Sequence, residues 1–303
     1  MPQREPLVEI RDFRMDFGQA TVIAGLSFDV LTGETFGFLG SNGSGKTTTI
    51  RALLGIYRPT AGTLHIAGRP FSPRRSVRLG YLPEERGLYK KESVIDTMVY
   101  FGRLKGMTAP AARTWSADYL ERVELGDKQK ARLDTLSGGQ QQKVQLGVTI
   151  MDDPELLILD EPTKGFDPVN RRLLMGIIEE QKKAGATVMM VTHQMDEVER
   201  LCDRVVLLKD GAARAYGTVT EVQEEFGGTT VTVRHTGALP ASGSFRVLSD
   251  VEGLAELDLA RGTDLGALLA ELMDAGAGVS QFTPHRRSLD SIFVEVYGEQ
   301  AGE

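Results

Sequence analysis

Gly40-Ser41-Asn42-Gly43-Ser44-Gly45-Lys46-Thr47, followed by Thr48, has the pattern G-x-x-x-x-G-K-[ST] between an apolar run at residues 35–39 and a helix-like stretch ending near Leu54. Glycines at these positions let successive backbone N–H groups turn inward around a phosphate, and the helix that follows presents its positive end to the same anion. Lys46 is then placed to reach the β- and γ-phosphates, and the Thr47 hydroxyl to take a coordination position on Mg²⁺. An ordinary Gly/Ser turn is the alternative, but the strand before and the helix after favour a nucleoside triphosphate.

A second group lies far downstream. Leu156-Leu157-Ile158-Leu159-Asp160-Glu161-Pro162 puts two carboxylates at the end of a wholly apolar run, where ligands of open α/β sheets gather. Alone, such acids are commonly solvated turn formers. Beside a phosphate cradle, Asp160 suits Mg²⁺, held through its water, and Glu161 suits orientation or deprotonation of an attacking water. His193 ends a third apolar run at residues 187–191, in Val191-Thr192-His193-Gln194. There an imidazole could hydrogen-bond a γ-phosphate and hold the water and Glu161 in line.

Leu136-Ser137-Gly138-Gly139-Gln140 has the spacing of a capping box, so it opens a helix with paired glycines that allow close backbone approach. It is a second anion site in a chain with one nucleotide to offer. Together with the cradle and the carboxylates, this motif makes residues 7–216 resemble the ATP-binding subunit of an ABC (ATP-binding cassette) transporter. The resemblance implies an α/β P-loop cassette: a mostly parallel sheet core, an antiparallel β subdomain and a helical subdomain at about residues 86–150. It implies ATP hydrolysis with Mg²⁺, in a head-to-tail dimer where Leu136, Ser137, Gly138, Gly139 and Gln140 of one subunit clasp the γ-phosphate held by the other's cradle. A homodimer is expected.

Other positions carry over from the same resemblance. Phe17 stands where an aromatic residue, usually Tyr, stacks on adenine; stacking survives the change and the hydroxyl does not. Gly165-Phe166-Asp167-Pro168 resembles the loop that crosses the dimer interface, with Phe166 for the usual Leu, and His193 aligns with the switch histidine. After Gly80-Tyr81-Leu82-Pro83 the family usually has Gln as a contact for Mg²⁺ and water, whereas this chain has Glu84: a carboxylate can bind the cation but has no amide donor. Pro83-Glu84-Glu85-Arg86-Gly87-Leu88-Tyr89 and Ser288-Leu289-Asp290-Ser291-Ile292-Phe293 resemble the sodium- or drug-efflux branch of exporters, in which separate integral membrane chains supply the pore. Residues 89–104 are the expected docking surface for such a chain.

The elements that must position these groups can be read from periodicity. Short strands are expected at residues 7–10, 21–23, 26–30 and 35–39, with half-buried alternation around Phe13, Met15 and Phe17. The runs at 156–159 and 187–191 suit strands covered on both faces of a parallel sheet. Helices are expected behind Ser93, over residues 116–123, and from Ser137 towards Met151. From residue 222 the character changes: Gly227-Gly228, a strand at 230–234, a Gly/Pro/Ser-rich loop at 237–244 and a helix at 264–273 predict a small α+β domain over 222–303. Its expected role is dimer stabilisation or regulation.

Composition bounds the rest. The chain has 303 residues, enough for about two domains, with 35 basic against 42 acidic side chains and a net charge of −7. That balance argues against nucleic acid, which needs a concentrated Lys/Arg surface. It also disfavours the alternative reading, a soluble ABC ATPase acting on nucleic acid or ribosomes; those chains tend to carry two cassettes or a long coiled-coil insertion. Intact Lys46, Asp160, Glu161 and His193 argue against a catalytically degenerate partner. Cys202 is the only cysteine and cannot close an internal disulfide. No apolar run approaches the length of a membrane helix, so the chain is expected in the cytoplasm; the transporter resemblance implies a peripheral position on the inner face of the cell membrane.

Overall fold

Alternation at the N-terminus folds as β1 (Pro6–Phe17), antiparallel to β2 (Ala20–Leu31). Val8 and Ile10 point into the core, as do Phe13 and Met15, and the three-residue step between the pairs is taken up by a bulge at which Asp12 has φ 47°. β2 is one continuous strand rather than the two expected, because Gly25, at φ 133°, absorbs the irregularity without breaking the ladder. The computed structural model describes residues 5–72, 77–85, 87–89, 91–226, 229–260 and 262–298. Arg86 and Gly227-Gly228 lie outside the described residues.

β3 (Thr35–Gly40) is buried at all six positions and leads into α1 (Lys46–Leu53). β4 (Ala61–Ile66) completes the antiparallel sheet in the order β2-β1-β4, and β5 (Leu79–Leu82) opens a second sheet. Three helices follow. α2 (Val94–Leu104) is capped by Ser93, whose hydroxyl accepts from the Asp96 N–H at 3.2 Å. α3 (Ala109–Arg122) starts seven residues before the expected position, because Thr108 caps it and Pro110 fits its first turn. α4 (Gly138–Ile150) carries the reciprocal Ser137–Gln140 capping box.

The apolar runs become β6 (Leu156–Asp160) and, after α5 (Pro168–Lys183), β7 (Thr187–Val191), both buried throughout. α6 (Met195–Leu201), β8 (Arg204–Lys209) and β9 (Ala212–Thr218) close the first unit. The second sheet has the order β5-β6-β7-β3-β8-β9, parallel from β5 to β8. Phe28, Phe36 and Phe38 join β2 and β3 in one core with Ile50, Ile158 and Met189. Such strands read as continuous hydrophobic runs because neither face meets water.

The chain divides into two compact units, residues 1–216 and 217–303. The second therefore begins five residues before the expected 222, where a Thr218–Glu221 capping box starts α7 (Val219–Glu225). β10 (Thr229–Arg234), β11 (Phe245–Val251), β12 (Leu254–Leu259) and β13 (Gln281–Arg286) form an antiparallel sheet in the order β11-β12-β10-β13. α8 (Leu265–Asp274) packs Leu268 and Leu272 against Val231, Val233 and Leu257, and α9 (Leu289–Gly298) ends the described chain.

Candidate functional site

Because β5, β6, β7 and β3 are parallel neighbours, the loops after them emerge at one edge of the sheet. That single topological fact gathers Glu84, Asp160 with Glu161, His193, and the glycine-rich segment. Ligands of open α/β sheets collect at such an edge.

In the cradle, Gly43 and Gly45 have φ 81° and 106°. The φ at Gly45 suits glycine, and a Cβ there would also displace the end of the Ile23 side chain. No side chain caps α1, which leaves its first N–H groups for an anion. Lys46 is buried, and its Nζ donates to Gly40 O at 2.7 Å and Ser41 O at 2.8 Å, which curls the loop around it. Burial lowers the Lys46 pKa, against the raising influence of Glu161, Asp160 and Glu84. The Ser44 hydroxyl is buried with no hydrogen-bond partner, while Thr47 and Thr48 are half-buried.

Opposite stands the carboxylate group. Burial, reinforced by Glu84 and Glu161, pushes the Asp160 carboxyl up to about 6. Glu161 has φ 50°, a left-handed conformation costly for a residue with a Cβ. Its N–H donates to Val191 O at 2.8 Å, and its Oε1 lies 2.7 Å from His193 Nδ1. Glu84 is exposed and pairs with Lys164 at 2.6 Å.

Phe17 ends β1 with 46% of its surface exposed, an available aromatic face. Its ring meets Tyr57 edge-on at 5.4 Å, and Arg51 of α1 donates to the Tyr57 hydroxyl at 3.1 Å. Tyr57 and Lys164 are residues that the sequence pattern misses: neither belongs to a motif, and each meets its partner only through the fold.

The motif at 136–140 occupies a different place. Leu136 is buried, Ser137 is exposed, and Gly138, Gly139 and Gln140 are half-buried at the start of α4. Ser137, Gly139, Gln140, Phe166 and Asp167 line a cavity of about 390 Å³ that includes no cradle residue. A Cβ on Gly139 would approach the Phe166 ring to 3.3 Å, so the glycine lets that loop lie against the helix.

Comparison with known proteins bears directly on this arrangement. The family pattern described as ABC transporter matches residues 23–164, and that described as the C-terminal domain of DrrA1-3-like ATP-binding proteins matches residues 217–297. An uncharacterized ABC transporter ATP-binding protein of Bacillus subtilis is 36% identical over 93% of this chain and 95% of its own. The chain belongs to the ABC transporter ATP-binding proteins. It is an ATPase subunit of the ABC transporter class. The Nod factor export ATP-binding protein I of Paraburkholderia xenovorans is 40% identical over 70% of this chain and 71% of its own. A solved ATP-binding subunit of an ABC transporter superposes with a TM-score of 0.68 at 28% identity, over 73% of this chain and 93% of that one. The cassette's P-loop α/β architecture is thus shared with its structural relatives.

Proposed function

We propose that this subunit binds ATP on residues 40–48 with adenine against Phe17, and hydrolyses it between two copies of the chain arranged head to tail. The convergence of Lys46, Asp160, Glu161 and His193 at one sheet edge carries the reading. Lys46 and the N–H groups of the cradle hold the β- and γ-phosphates. Thr47, Asp160 and Glu84 are the residues that would hold Mg²⁺. The donors fit: Asp160 is a buried carboxyl under pressure from two neighbouring acids, and a hard cation relieves that pressure. At those residues Mg²⁺ would supply neutralisation of the charge that builds on the phosphates.

Glu161 accepts a proton from the water that attacks the γ-phosphorus, and the bond to the β,γ-bridging oxygen breaks to release ADP and phosphate. His193 fixes the Glu161 carboxylate through their 2.7 Å contact and reaches toward the γ-phosphate. Ser137, Gly138, Gly139 and Gln140 of the second copy close the site; their position at the surface of α4 supports that role. The motion drives integral membrane subunits, docked on residues 89–104. There Tyr89, Tyr100 and Leu104 are exposed, and Tyr89 stacks with Phe101 at 6.0 Å. No described helix is long and apolar enough to cross a membrane. As an ABC transporter ATP-binding subunit, this chain sits peripherally on the cytoplasmic face beside those partner subunits. The unit from Gly217 stabilises the dimer or regulates it, so truncation after Tyr216 should lower dimerisation or turnover; unchanged values would reject this role.

The test is a pair of variants. Glu161→Gln should bind ATP as the native chain does and hydrolyse it at least about 100-fold more slowly, whereas Lys46→Ala should lose ATP binding. Full turnover by Glu161→Gln would remove Glu161 from water activation.

A further inference from the structure

Glu84 and Lys164 come from different strand ends, and no sequence motif links them. Glu84 lies two residues beyond β5, and Lys164 four beyond β6, on a turn closed by the Lys164 N–H bonding to Glu161 O at 3.2 Å. The side chains meet at 2.6 Å, with roughly half of each exposed. An exposed pair of this kind contributes little to stability, so a structural reason for it is weak.

The surroundings supply another reason. Glu84, Asp160 and Glu161 act electrostatically on Lys46, and Glu84 is the largest charged contributor to the upward shift of Asp160. Asp160 and Glu161 in turn act on Lys164 after its bond to Glu84. With Lys164 the cluster of five carries a formal charge of minus one; without it, minus two. A carboxylate at position 84 therefore adds a negative charge that Lys164 locally offsets.

We propose that Lys164 is a positioning residue for Glu84, holding that carboxylate toward the turn after β6 and so setting how strongly a nucleotide-borne divalent cation is bound. The inference rests on the ATP-site reading above. Glu84 then has two alternative partners, the Lys164 ammonium and the cation. The strength of the first limits the second.

Fluorescent mant-ATP, titrated in EDTA and in Mg²⁺, separates the possibilities: the ratio of the two affinities measures the cation's share of binding. In Lys164→Gln this ratio should rise about threefold, a change of ~0.7 kcal/mol, and Lys164→Arg should keep the native ratio. In a Glu84→Gln background, Lys164→Gln should change it by less than about 1.5-fold, since the partner is gone. An unchanged or lowered ratio in Lys164→Gln, or the same rise with and without Glu84, would overturn the pairing role. So would a large loss of EDTA affinity, which would make Lys164 a direct phosphate contact. If the native chain binds mant-ATP in neither condition, or Lys46→Ala binds it as well as the native chain, the ATP-site reading itself fails and takes the pairing with it.

Discussion

His193 Nδ1 lies 2.7 Å from Glu161 Oε1, tying the end of β7 to the end of β6. Glu161 is also held by its backbone N–H on Val191 O, so its carboxylate has a defined direction despite its left-handed φ. His193→Ala should lower kcat for ATP by about 100-fold, with KM within about threefold of native. Steady-state ATPase kinetics with Mg²⁺ check this; a raised KM with native kcat would make His193 a ground-state binding residue instead.

The Asp160 carboxyl, raised to about 6 from an ordinary value of 3.8, sets a pH dependence of stability. A raised carboxyl binds more protons folded than unfolded, so its contribution is full below pH 3.8 and is lost as pH rises through about 6. In EDTA, Asp160→Asn should therefore stabilise the chain at pH 7.5 by about 2 kcal/mol, with the gain shrinking as pH falls toward 4. Urea unfolding at both pH values measures it. A gain independent of pH would contradict the cause.

Phe17 and Tyr57 form an edge-to-face pair, with Tyr57 steadied by Arg51. Phe17→Ala should weaken ATP binding by about tenfold, as loss of a base-stacking surface does, and Phe17→Tyr should not weaken it. Tyr57→Leu should have a smaller effect of the same sign. Calorimetric titration distinguishes these outcomes, and equal affinity in Phe17→Ala would free the adenine from this ring.

Gly45 has φ 106°, further into the glycine-favoured region than Gly43, and its Cβ would displace the end of the Ile23 side chain, so Gly45→Ala meets backbone strain first and a local repacking of Ile23 second. A loss of about 2 to 4 kcal/mol is expected. Gly43 also has positive φ, but nothing lies within 4 Å of its Cβ position, so Gly43→Ala should cost only about 1 kcal/mol. Denaturation midpoints of the two variants should differ accordingly.

Most of the site is legible in the sequence because its parts are local. The cradle, the Asp160–Glu161 step and the Ser137–Gln140 box each lie within one turn or one strand end, so their local shape can be read from short-range pattern, while the role of the 136–140 segment in a dimer rests on the family resemblance. Tyr57 under Phe17 and Lys164 beside Glu84 are not legible, since their contacts depend on which strands are neighbours. Gly25 reads as a break but is tolerated within β2, where the ladder outweighs local propensity. The start of α3 behind Thr108 is marked by a cap residue, but its hydrophobic periodicity is weak and points further along the chain; the Thr218–Glu221 capping box that opens α7 is equally local and lies just before the expected domain boundary.

ATP held between facing copies of the chain is tested most directly by light scattering on Glu161→Gln. With saturating Mg²⁺ and ATP the expected mass is twice that of the single chain, returning to one chain in ADP or when Ser137→Arg obstructs the start of α4. A single-chain mass at saturating ATP, or a doubled mass that survives Ser137→Arg, would contradict it.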